Sequence, residues 1–150
     1  MTILDRFRLE GRVALVTGAG RGIGRASAIA LAEAGADVVV AARTAEQVEQ
    51  VADEIRAIGQ RAVPVAFDVM ELDRLGDLVD TAVAQLGGLD LLVNNAGGSM
   101  PKALLDTSIR SFERALTFNV TTAFELTKQA VPAMLERGGG SVVNISSAAG

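Results

Sequence analysis

Four glycines fall within seven residues, Gly18-Ala19-Gly20-Arg21-Gly22-Ile23-Gly24, directly after the run Val13-Ala14-Leu15-Val16-Thr17. Glycine lets a backbone turn tightly and come close to a phosphate, and the free N–H groups that open a helix supply the opposing partial charge. Gly18, Gly20, Arg21, Gly22, Ile23 and Gly24 are therefore candidates to cradle a pyrophosphate. The spacing is not G-x-G-x-x-G, and no Gly-Lys-Ser/Thr ending follows, so a nucleoside-triphosphate P-loop is disfavoured. A tight turn without a ligand is the plain alternative.

The next chemistry lies at the end of the second apolar run, Asp37 to Ala41. Dinucleotide-binding βαβ units carry an acid about 20 residues past the glycine loop, where it accepts a hydrogen bond from the adenosine ribose. This sequence has Ala42 there, followed by Arg43. Without the acid nothing repels a ribose 2′-phosphate, and a guanidinium grips phosphate in a forked geometry. Arg21 adds a second cation. Further along, Asp68 and Glu71 are spaced as a helix capping box. Asn94-Asn95-Ala96-Gly97 is rich in turn formers, and Asn119 stands inside a helical pattern that Asn does not favour.

Composition removes other chemistries. The 150 residues contain no Cys, His, Trp or Tyr. Disulfides, thiolate or imidazole metal sites, Cys nucleophiles and Ser-His-Asp triads are excluded within them, and no metal is expected. The net charge is −4 with scattered basic residues, and the only aromatics are five Phe, so no nucleic-acid surface is expected. The richest apolar stretch, Ala28 to Ala42, is interrupted by Glu33 and Asp37, and the first residues lack a signal-peptide layout. A soluble, cytoplasmic protein with no membrane partner is the expectation.

The elements that must position these residues follow from periodicity. Short apolar runs at Val13–Val16, Asp37–Ala41, Ala62–Phe67, Leu89–Val93 and Ser141–Ile145 read as strands. Between them lie helical patterns: Ile23 to Ala34, a helix capped by Thr44 with Val48, Val51, Ala52, Ile55 and Ile58 inward, and one carrying Leu72, Leu75, Val79, Ala82, Val83 and Leu86. A long helix starts at Thr107 or Ser108, with Ile109, Phe112, Leu116, Ala123, Val131 and Met134 on its inner side. Strands that are apolar on both faces imply a parallel sheet covered on each side. The expected fold is α/β, a doubly wound parallel sheet in the order 3-2-1-4-5, with residues 1–150 forming one nucleotide-binding domain.

Taken together, Thr17-Gly-x-x-x-Gly22-x-Gly24, Asn94-Asn95-Ala96-Gly97, Asn119 and Asn144-Ile145-Ser146-Ser147 resemble the successive signatures of the short-chain dehydrogenase/reductase family, in order and over essentially the whole chain. The resemblance implies a Rossmann-like domain and an oxidoreductase that moves a hydride between nicotinamide and a small-molecule ketone or secondary alcohol, such as a 3-oxoacyl thioester, a sugar or a steroid-like molecule. It implies that Asp68 and Val69 contact adenine, and that Asn95, Ala96 and Gly97 line the nicotinamide ribose. With Arg43 and Arg21, it implies NADP(H) over NAD(H). Ser147, ahead of its neighbour Ser146, would hold the substrate oxygen. Asn119 would bend its helix and hold a water of the proton relay.

The family's acid/base is a Tyr with a Lys four residues later. This sequence has no Tyr, and neither Lys102 nor Lys128 fits that motif. The expectation is a truncated sequence that lacks the family's C-terminal strands, is inactive alone, and forms a homo-oligomer (dimer or tetramer) when intact. The apolar strand at Ser141 would then be an uncovered edge, and apolar surface should be exposed. Two alternatives stand beside this: a non-catalytic NADP-binding module, and a Rossmann-type methyltransferase using an adenosyl cofactor.

Overall fold

The computed structural model describes residues 2–99 and 102–147. Five parallel strands form one sheet: β1 (Val13–Thr17), β2 (Asp37–Ala42), β3 (Ala62–Ala66), β4 (Leu91–Asn94) and β5 (Ser141–Asn144). Their order is β3-β2-β1-β4-β5, as the alternation of strands and helices predicts. The order reverses beside β1, so a crevice opens at the carboxyl ends of β1 and β4.

Side-chain alternation along the strands feeds two cores. Ala14, Val16, Val38 and Val40 point to the face covered by α1 (Gly22–Glu33) and α2 (Ala45–Ile58), meeting Ala28, Ala32, Val48, Val51 and Ile55. Val13, Leu15, Val39 and Leu92 point to the face covered by α3 (Gly76–Leu86) and α5 (Thr122–Glu136), meeting Leu78, Ala82, Leu126, Ala130 and Met134. β1 is buried along its whole length, so the glycine loop extends the most deeply buried strand of the sheet.

Behind the sheet, at the amino ends of the strands, buried Asp90 accepts hydrogen bonds from Arg12 (2.8 Å), the Val13 N–H (2.9 Å) and Arg137 (3.1 Å). Burial pushes this carboxyl up, but the Arg12, Val13 and Arg137 donors outweigh it and hold Asp90 below its ordinary range. The cluster ties β1, β4 and the end of α5 together on the side away from the crevice.

Three expectations need correction. The long helix is present, capped by Ser108, but it is not uniform: α4 (Ile109–Leu116) runs through a π turn (Thr117–Thr121) that holds Asn119 and on into α5. No residue of α4 is buried, and the residues of α5 that face the core are Thr122, Leu126, Ala130 and Met134. Ile109, Phe112, Leu116 and Val131 are exposed rather than inward; Met134 is buried and Ala123 half-buried. Val83 and Ile58 also lie outward, at the margins of their helices.

Asp68 and Glu71 do not form a capping box. The Asp68 carboxylate accepts from the Met70 N–H (3.0 Å), the Glu71 N–H donates to the Asp68 carbonyl, and Glu71 pairs with Arg74. The chain turns here and enters a short 3₁₀ turn (Leu72–Arg74) before α3. Thr44 occupies the N-cap position of α2, yet its hydroxyl accepts no capping hydrogen bond.

β5 lies at the sheet edge with all four residues exposed. Leu104, Leu105, Phe112, Val120 and Phe124 are exposed as well.

Candidate functional site

A cleft of about 530 Å³ opens at the carboxyl ends of β1, β2 and β4. All the cofactor-binding candidates except Gly24 line it. Its floor is the glycine loop. Gly18 (φ +62°) and Gly22 (φ +56°) take the left-handed conformation that side chains with a Cβ rarely adopt. Gly24 sits just behind. A methyl group there would overlap the Gly18 carbonyl and the Asn95 carboxamide, so α1 can start this close to the loop only with glycine at that position. No side chain caps α1 at Arg21, and its first N–H groups stay available toward the cleft.

The second wall is the loop after β4, and hydrogen bonds lock it to the first. Thr17 Oγ1 accepts from the backbone N–H groups of Asn95 and Ala96, each at 3.1 Å. Asn95 Nδ2 donates back to the carbonyls of Thr17 (2.9 Å) and Gly18 (3.2 Å). Asn94, buried one residue earlier, donates to Asn144 Oδ1 (2.9 Å) and Thr127 Oγ1 (3.0 Å), joining β4 to β5 and α5.

Asn119 lies in the π turn, a helical defect frequent at functional sites. Its carboxamide grips the next stretch of the same wall. Nδ2 donates to the carbonyls of Gly98 (3.0 Å) and Ala115 (2.8 Å), while Oδ1 accepts from the Gly98 N–H (2.8 Å). This side chain therefore positions the Gly97–Gly98 backbone, and Gly97 itself has no room for a Cβ against Asn119.

The far corner of the cleft holds Arg21, half-buried Ala42, Arg43, Thr44 and Gln47. Among the described residues neither Arg21 nor Arg43 has an ion pair, whereas Arg25, Arg56, Arg61 and Arg74 each bond a carboxylate. Phe67, Asp68 and Val69 line the adjoining stretch, joined to that corner by the bond from the Phe67 N–H to the Ala42 carbonyl (2.9 Å). Arg74 lies 5.6 Å from the centroid of the Phe67 ring and braces that wall from outside.

Ser147 falls just beyond β5, whose register sets Asn94 opposite Asn144 and is extended by a bond from the Ile145 N–H to the Asn94 carbonyl. It thus lies at the carboxyl edge of the sheet, beyond the residues that line the cleft. Sequence reasoning did not single out Gln47, Phe67 or Phe118 as site residues, though all three line it. Gln47 had one available signal, its place in the first turn of the helix that follows Arg43.

Five parallel strands with a glycine loop at the switch point define a nucleotide-binding domain of the Rossmann type. The chain belongs to the short-chain dehydrogenase family, whose profile matches residues 12–150. It is 52% identical over 149 residues to an uncharacterized oxidoreductase of Mycobacterium tuberculosis, covering 99% of this chain and 57% of that protein. It is 42% identical over 145 residues to the 7alpha-hydroxysteroid dehydrogenase of Escherichia coli K12, covering 97% of this chain and 56% of that protein. Among solved structures, a 7 alpha-hydroxysteroid dehydrogenase complexed with NADH and 7-oxo glycochenodeoxycholic acid superposes with a TM-score of 0.93 at 41% identity, covering 98% and 57% of the two chains. A short-chain type dehydrogenase/reductase from Mycobacterium marinum gives a TM-score of 0.92 at 42% identity, covering 98% and 60%. The chain therefore spans a little over half the length of these relatives. No helix among the described residues is long and apolar enough to cross a membrane.

Proposed function

We propose that this chain is the dinucleotide-binding part of an NADP(H)-dependent oxidoreductase acting on a small carbonyl or secondary alcohol. The carrying observation is the far corner of the cleft: Ala42 where an acid would meet the ribose, with Arg43 and Arg21 beside it and unpaired among the described residues. Two guanidinium groups beside a position that carries no acid favour a phosphate dianion there. The loop fits the rest of a dinucleotide, because Gly18 and Gly22 take left-handed turns that leave bare backbone along the cleft, and Gly24 lets α1 start close behind it.

When bound, the nicotinamide would exchange a hydride with the carbonyl or alcohol carbon. In this reading, Gly18 to Gly24 hold the pyrophosphate, Asp68 and Val69 border the adenine, and Asn95, Ala96 and Gly97 border the nicotinamide ribose. Asn119 keeps that last wall in place. Ser147 donates its hydroxyl to the substrate oxygen. The proton must come from an acid outside these 150 residues, which hold no Tyr, so they bind cofactor without turning it over. Exposed Leu105, Phe112 and Phe124 support a homo-oligomer.

Arg43→Asp tests the cofactor assignment. It should weaken NADPH binding by about 100-fold, through loss of one charge-assisted contact and gain of repulsion, while NADH binding holds or improves. Equal effects on both cofactors would remove the case for NADP(H).

A further inference from the structure

We infer that Gln47 is a specificity-determining residue of the 2′-phosphate corner, serving as its neutral third arm beside Arg21 and Arg43. The inference rests on the NADP(H) reading above and deepens it.

Gln47 belongs to the first turn of α2 and is the polar side chain of that helix that lines the cleft. Other polar residues of α2 are engaged elsewhere: Glu49 and Asp53 pair with Arg56, and Glu54 pairs with Arg25. Gln47 is half-buried, and its carboxamide forms no hydrogen bond among the described residues. A half-buried amide without an internal partner forgoes stabilisation that a bound polar group can return.

Its placement is fixed by packing. A Cβ built on Gly20 would lie 2.8 Å from Gln47 Oε1, 3.0 Å from Gln47 Cβ and 3.3 Å from the Ala42 Cβ. Gly20 has no left-handed φ, so its lack of a side chain answers to Gln47 and not to backbone strain. Gly20 and Gln47 are thus fitted to one another, and the carboxamide lies against the glycine loop at the corner shared with Arg21, Ala42, Arg43 and Thr44. A carboxamide there donates an N–H to a phosphate oxygen at no electrostatic cost. A carboxylate of the same shape would repel the phosphate and accept a ribose hydroxyl instead. Gln47 therefore supplies from α2 the neutrality that Ala42 supplies from β2.

The test is titration of NADPH and NADH, followed by nicotinamide fluorescence, into the wild-type protein and its Gln47→Glu, Gln47→Ala and Arg43→Ala variants. Gln47→Glu should weaken NADPH by about tenfold and leave NADH within about twofold or tighter. Gln47→Ala should weaken NADPH by roughly threefold, the loss of one hydrogen bond to a charged group in a partly open site. A wild-type preference for NADPH that Arg43→Ala reduces but Gln47→Glu leaves intact overturns this inference alone. A wild-type protein with no preference, unaffected by Arg43→Ala, overturns both it and the NADP(H) reading.

Discussion

Thr17 and Asn95 hold each other across the crevice: the Thr17 hydroxyl accepts from the Asn95 backbone N–H, and the Asn95 carboxamide donates to the Thr17 carbonyl. One residue ends β1 and the other follows β4, so this reciprocal pair sets the spacing of the two cleft walls. Thr17 is 2% exposed, and the same hydroxyl also takes the Ala96 N–H. Thr17→Val keeps the shape and strands both N–H groups, which should cost about 2–3 kcal/mol in urea unfolding. Asn95→Ala should lower dinucleotide affinity by about tenfold with a smaller loss of stability, because the glycine loop loses its two side-chain anchors. Unchanged affinity in Asn95→Ala would show that the loop holds its shape unaided.

The glycine loop makes a sharper steric prediction. Gly24→Ala should destabilise by about 3 kcal/mol or more, since its methyl group meets backbone and cannot be accommodated by a rotamer change. Gly20→Ala meets a side chain instead, and should be rescued in part by Gln47→Ala, which removes the Oε1 contact but keeps the Gln47 Cβ. A double-mutant cycle with a coupling of roughly 1 kcal/mol would show this, and strict additivity would contradict the contact.

Asp90 predicts the acid limb of stability. Its carboxyl is held below the ordinary range, so its contribution is complete above about pH 4 and is lost as pH falls through the lower, folded-state value. Asp90→Asn should cost about 2–3 kcal/mol at neutral pH, a figure tempered by the half-exposed Arg12, and should flatten the stability curve below about pH 4. Retention of the wild-type acid limb would assign it to other carboxylates.

The apolar stripe of α4 and α5 predicts self-association. Phe112→Ser with Phe124→Ser should reduce the mass measured by light scattering at a given concentration, as the exposed rings of that stripe are removed. A monomer before and after substitution would leave that face without a partner.

Much of this molecule was legible from its residues because its central strands, β1, β2 and β4, are buried on both faces. The runs at Val13, Asp37 and Ala62 could be nothing else at that length, and the glycines between the first strand and first helix marked where the crevice would open. The orientation of α4 was not legible. The bend itself falls at Asn119, but no face of α4 is buried, so the helical period there had no core to report on and Ile109, Phe112 and Leu116 are exposed. The apparent capping box at Asp68 failed because its carboxylate closes a turn onto Met70 instead. Gln47 was invisible for another reason: a polar residue in the first turn of a helix is unremarkable until Gly20 is found beneath it.

The most direct test of the account is to titrate adenosine 2′,5′-bisphosphate into isotope-labelled protein and follow the backbone amides by NMR. Saturable shifts are expected, concentrated at Gly20, Arg21, Arg43, Thr44 and Gln47, with adenosine 5′-monophosphate moving them far less. Equal responses to the two nucleotides, or shifts confined to residues outside the cleft, would contradict a site built for the 2′-phosphate.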